Sequence, residues 1–337
     1  MQAEIRTLVD ISDSDAARIG RAEMILDRAR WAASIFERYD REATMAIVDA
    51  VAAKAHEHSV HFAQKAVEES GFGVVAHKKI KNELTAHPLV DFYRDQDFVN
   101  ARVDEVRKIV ELPRPAGVIF ALTPSTNPIA TLHFKVLMAL MTRNAIVISP
   151  HPAVKESSVQ AADALNKAAE DAGAPEAIIQ ILEQPTIPMV EAFMKSSKTN
   201  VILATGGTPM VRWAYRVVVN APCSQGAAGF ATNLAPTFTI GTGFFGRSSI
   251  GENVGPQHLV HWTRIAYNSD DDEPFGNYHG LHREFRGALA KAPADGVPGT
   301  TAPRSFAQPP QRAAIDGTTK DELRRLIAEE LRDLLRK

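Results

Sequence analysis

The sequence has little cysteine, little charge imbalance and no long apolar run, and each shortage removes a class of function. A single cysteine, Cys223, cannot form an intrachain disulfide and excludes a zinc site built from several thiolates. A formal net charge of −2 argues against a surface devoted to nucleic acid. No apolar stretch is long enough to span a bilayer, so no membrane partner is expected. The opening MQAEIRTLVDISDSD lacks a basic-then-apolar signal pattern, and a cytoplasmic location is the simplest expectation.

What is present divides along the 337 residues. Residues 14–70 carry apolar positions at three- and four-residue spacing (Ile19, Ile25, Leu26, Ala29, then Ile47, Val48, Val51), which predicts two helices. Gly71-Phe72-Gly73 should end the second, because glycine adopts the left-handed angles of a helix stop. His56, His58, His61 and His77 lie among charged residues, so a solvated face is expected and no metal site.

From residue 117 the period changes. The runs Gly117–Leu122, Ala145–Ser149, Ala177–Leu182 and Asn200–Ala204 alternate with helical patterns at Pro128–Met141, Ala153–Asp171, Ile187–Lys195 and Thr208–Tyr215. Short β-branched runs alternating with helices predict an α/β fold, a Rossmann-like doubly wound parallel sheet covered on both faces. The expected order is an N-terminal helical region (1–110), a nucleotide-binding domain (111–216), a C-terminal segment (217–285), a linker (286–317) and an amphipathic helix (318–337). Residues 221–260 are rich in glycine, proline and small polar residues, as in loops that line a site or bridge the subunits of a homo-oligomer.

An open parallel sheet binds ligands beyond the carboxyl ends of its strands. The turn Leu122–Pro128 ends in Asn127-Pro128, a helix-start signature whose simplest reading is an N-cap. The sharper reading has the Asn127 amide donating to an oxyanion. Ser149-Pro150-His151-Pro152 fits either the adenosine side of a dinucleotide or merely a stiff loop. Thr205-Gly206-Gly207 offers backbone N–H groups to a pyrophosphate, although it is not a full dinucleotide fingerprint.

At these turns the sequence resembles CoA-acylating aldehyde dehydrogenases, of the microcompartment acetaldehyde, propionaldehyde and sulfoacetaldehyde types. The resemblance is carried by ELPRPAGVIFALTPSTNPIATLHFKVLMALMTRNAIVISPHPAVKESS, ILATGGTPMVRWAY and TFTIGTGFFGRSSIGENVGPQHLVHWTRIAYNSD, and it covers most of residues 15–275. It implies oxidation of a small aldehyde with NAD (or NADP) and coenzyme A to an acyl-CoA. It also implies Asn127 as the oxyanion asparagine and Thr123, Pro124, Ser149, Pro150, His151, Thr205, Gly206 and Gly207 as cofactor contacts. His258, in Gly255-Pro256-Gln257-His258, falls near the family's active site, in a structural or a catalytic role.

The sequence departs from this pattern in one respect. In the family a glycine-rich segment and a domain bearing the catalytic cysteine follow TGGTPMV. Here Trp213-Ala214-Tyr215-Arg216 runs directly into Val217-Val218-Val219-Asn220, which resembles a much later strand. Cys223, in Ala221-Pro222-Cys223-Ser224, matches a post-catalytic segment, so a small apolar role is expected of it rather than nucleophilic attack. The reading is therefore a family enzyme impaired by loss of its nucleophile, with a non-catalytic cargo or assembly protein as the alternative.

Residues 291–317 contain five prolines and three glycines and read as a flexible linker. Beyond it, Thr319 and Glu322 form a capping box, and Leu323, Leu326, Ile327, Leu331, Leu334 and Leu335 form one apolar stripe. This resembles the encapsulation peptides of microcompartment enzymes and implies shell or cargo proteins as partners. Docking of the helix on its own subunit is the alternative.

Overall fold

The computed structural model describes residues 14–205, 228–230, 232–240, 250–267 and 275–278. The helix expected over Thr208–Tyr215, Gly206, Gly207, Cys223, the linker and the terminal amphipathic helix lie outside the described residues.

Residues 14–70 form three helices, one more than the periodicity suggests: α1 (Asp15–Phe36), α2 (Arg41–Glu57) and α3 (Ser59–Ser70). The apolar stripe continues across His58, which hides the break; α3 starts there without a side-chain cap. Gly71 stops α3 with φ 67°, its N–H donating to the Val67 carbonyl, as expected of a left-handed glycine. Two short helices follow, α4 (Val75–Leu84) and α5 (His87–Tyr93).

The strands form two sheets. A small antiparallel sheet has the order β1 (Arg102–Asp104), β2 (Ile109–Pro115), β7 (Val260–Ala266). Pro113 and Pro115 are tolerated in the central strand because β1 pairs only with Ile109–Glu111, so the prolines lie where that neighbour has ended. The parallel sheet begins at Val118, one residue into the run expected from Gly117. The strand at Val260–Ala266 escaped the sequence reading because its burial is irregular and its partner lies some 150 residues earlier.

The parallel sheet has the order β5-β4-β3-β6, from β3 (Val118–Leu122), β4 (Ala145–Ser149), β5 (Ile179–Ile181) and β6 (Val201–Ala204). Helices α6 (Pro128–Met141), α7 (Lys155–Asp171) and α8 (Ile187–Lys195) connect them, which makes the domain doubly wound. β5 is shorter than its apolar run because Ala177 adopts φ 63° and turns the chain into the strand. All of α6 is buried, which explains why it reads as apolar almost all round.

The start of β3 is fixed by two asparagines. Gly117 N donates to Asn144 Oδ1 at 2.6 Å and Val118 N donates to Asn200 Oδ1 at 2.8 Å. Gly117 has φ 119°, and a Cβ there would lie 2.4 Å from Asn200 Oδ1, so only glycine fits. At the far end of β3, Lys135 of α6 donates to the carbonyls of Leu122 (2.7 Å) and Leu203 (2.6 Å), joining the carboxyl ends of β3 and β6.

Candidate functional site

The carboxyl ends of β3, β4 and β6 open into a cavity of about 540 Å³, within the range of small-molecule and cofactor sites. Thr123 and Pro124 line it from the turn after β3, Ser149, Pro150 and His151 from the turn after β4, and Thr205 from the end of β6. Residues separated by up to 82 positions are thus brought to one place by the parallel register, in which Leu122 pairs with both Ser149 and Ala204. Every described member of the expected cofactor set lies in this cavity. The sequence reading missed its other wall, formed by Pro185, Thr186, Ile187, Val190 and Glu191 at the start of α8. Only the crossover of α8 from β5 back to β6 brings that wall over the strand ends.

Two hydroxyls in the cavity wall, Thr123 Oγ1 and Thr186 Oγ1, are buried and have no hydrogen-bond partner among the described residues. Leaving a buried hydroxyl unsatisfied costs about 1–3 kcal/mol, so such groups are commonly satisfied by a ligand or water. The Thr205 hydroxyl, in contrast, is paired with that of Thr239 at 3.0 Å. His151 is exposed, and its Nδ1 accepts from Ala153 N at 3.2 Å, which holds the ring at the rim.

Asn127 occupies the N-cap position of α6, yet its side chain makes no capping hydrogen bond. The helix starts at Asn127-Pro128 as the simple reading expects, with Pro128 at the first helical position, but the Asn127 side chain is used elsewhere than in a cap. Lys81 of α4 donates to Asn127 Oδ1 at 3.0 Å, and Lys78 donates to the Thr126 carbonyl at 2.7 Å. Burial and the neighbouring Lys81 charge hold the Lys78 ammonium below its ordinary pKa. With Oδ1 occupied by an ammonium, the Asn127 Nδ2 hydrogens remain as donors for another acceptor.

Within α6, burial pushes the Lys135 pKa down to about 7 and that of His133 to about 4, both groups being fully enclosed. His258 is held within its own turn: Gly255 N donates to its Nδ1 at 2.9 Å, and its Nε2 meets Glu252 at 3.0 Å. That arrangement fits the structural role weighed for it. Among the described residues no group of three or more His, Cys, Asp or Glu is arranged to hold a metal, and no helix is long and apolar enough to cross a membrane.

Comparison with known proteins agrees with this architecture. The chain is 35% identical over 198 residues to the bifunctional aldehyde-alcohol dehydrogenase AdhE of Escherichia coli (strain K12), covering 58% of this chain and 22% of that one. It is 33% identical over 192 residues to the acetylating succinate-semialdehyde dehydrogenase of Clostridium kluyveri, covering 57% and 42%. It thus spans less than half the length of these curated relatives. Among solved structures, an acetylating aldehyde dehydrogenase from Geobacillus thermoglucosidasius shares the fold at TM-score 0.69 and 22% identity, over 76% of this chain and 98% of that one. A Rhodopseudomonas palustris propionaldehyde dehydrogenase with bound propionyl-CoA matches at TM-score 0.50 and 27% identity, over 57% and 42%. The description of the aldehyde dehydrogenase family matches residues 3–221, well over half of the sequence. The chain belongs to the aldehyde dehydrogenase family, and its relatives include acylating members.

Proposed function

We propose that this chain carries the nucleotide-binding part of an NAD-dependent, CoA-acylating aldehyde dehydrogenase, for the overall reaction aldehyde + NAD + CoA to acyl-CoA + NADH. The carrying observation is the cavity at the strand ends, which collects Thr123, Pro124, Ser149, Pro150, His151 and Thr205 and presents two buried, unpartnered threonine hydroxyls. The residues fit a dinucleotide: the hydroxyls of Thr123 and Thr186 offer hydrogen bonds, and the cavity opens beyond the carboxyl ends of the strands. A bound NAD supplies the hydride acceptor of the reaction.

Asn127 acts in this scheme as a donor. Lys81 holds its carbonyl, so Nδ2 can stabilise negative charge developing on a carbonyl oxygen of the aldehyde or thioester. Acyl transfer also requires a thiolate facing the cofactor. The family's cysteine-bearing segment is missing between Arg216 and Val217, and Cys223, outside the described residues, is assigned a bystander role. The chain by itself is therefore expected to turn over weakly or not at all.

One feature favours a second reading, a non-catalytic cargo or assembly protein of a microcompartment: the leucine stripe of residues 318–337 on its proline-rich linker. A single assay separates the two. NADH formation from acetaldehyde, NAD and coenzyme A is measured for the full chain and for Cys223→Ser. Turnover that the serine abolishes would overturn the bystander role of Cys223. No turnover, with NADH binding retained, supports a binding scaffold, and no binding of NADH would overturn the dinucleotide reading itself.

A further inference from the structure

We propose that Glu191 makes this cavity select NAD(H) over NADP(H), an inference that rests on the dinucleotide reading above. The two cofactors differ only at the adenosine 2′ position, a hydroxyl in one and a phosphate in the other. In doubly wound domains a carboxylate at the end of the second strand commonly takes the ribose hydroxyls. Here the second strand, β4, ends in Ser149-Pro150-His151-Pro152 and offers no carboxylate. The acid comes from α8: among the described residues lining the cavity, Glu191 is the one carboxylate, and no lysine or arginine is present.

The helix that carries it is anchored to the sheet. Phe193 of α8 is fully buried and stacks on Phe120 of β3, with centroids 4.8 Å apart and planes within 8°. Met189 is buried as well, so Ile187, Val190 and Glu191 are left to form the cavity wall. Glu191 accepts from Lys195 one turn later at 2.7 Å, and this bond holds its carboxyl below the ordinary range, so it is ionised at neutral pH. A carboxylate accepts hydrogen bonds from ribose hydroxyls and repels a phosphate in their place. His151, at the rim, has its Nδ1 turned to Ala153 N, from which it accepts at 3.2 Å. Lys195 is engaged by Glu191 and does not line the cavity.

The test is a fluorescence titration of the full chain with NADH and with NADPH, which needs no turnover. The wild type should bind NADH at least about tenfold more tightly than NADPH, a ratio typical of one charge-dependent contact. Glu191→Gln should shrink that ratio to within about threefold, mainly through tighter NADPH binding. Lys195→Met should leave the preference for NADH in place. Equal binding by the wild type, an unchanged ratio in Glu191→Gln, or loss of the NADH preference in Lys195→Met would each overturn the role of Glu191 while leaving the dinucleotide site intact. Binding of neither cofactor by the wild type would overturn the site and the inference together.

Discussion

Lys81 and Asn127 are bonded across 46 residues of sequence, Nζ to Oδ1 at 3.0 Å, and this contact ties the N-terminal helices to the first turn of the nucleotide site. It also explains why an asparagine in the N-cap position does not cap.

That pair sets the first prediction. Lys81→Met and Asn127→Ala, alone and together, should show a coupling of about 0.5–1 kcal/mol in urea unfolding, the size of a partly exposed charge-assisted hydrogen bond. Strict additivity would mean that the bond does not form in solution.

Gly117, just before β3, leaves no room for a side chain. Gly117→Ala adds a methyl 2.4 Å from Asn200 Oδ1 at a φ of 119°, so it should cost about 1–3 kcal/mol of stability. A thermal melt of the alanine variant matching the wild type would refute the assigned packing.

The buried groups of α6 predict a specific pH dependence. The folded-state pKa of His133, about 4, lies below its unfolded value, so the unfolded chain binds the extra proton first and stability falls as pH drops from 6.5 through 4. His133→Leu should flatten that acid limb. For Lys135 the folded value of about 7 lies below an unfolded 10.5, so its contribution to stability rises with pH between the two. Lys135→Met forfeits the bonds to Leu122 and Leu203, and its deficit against wild type should be largest near pH 10 and shrink towards pH 7. A deficit independent of pH would show that the lysine is not buried as described.

The helices and strands of the nucleotide domain were legible because local signals agreed there. Pro128–Met141, Ala145–Ser149 and Ile187–Lys195 have the same bounds in sequence and in structure. The turns expected to line a site meet at one cavity for a related reason: strand-end turns lie where apolar runs stop, and a parallel sheet gathers such turns at one edge. Less could be seen where a role depends on a distant partner. Neither Glu191 nor Lys81 carries a motif, and β7 is a strand only because β2 lies beside it.

The sequence by itself determined the doubly wound class, the family and the single cysteine, because periodicity, turn chemistry and residue counts are local or global properties of the chain. Tertiary structure decided which face α8 turns to the cavity, what the Asn127 amide bonds to, and which two sheets share the chain. Those outcomes depend on contacts between residues tens to hundreds of positions apart, set by the packing of α6 and the crossover of α8 and by no short stretch of sequence.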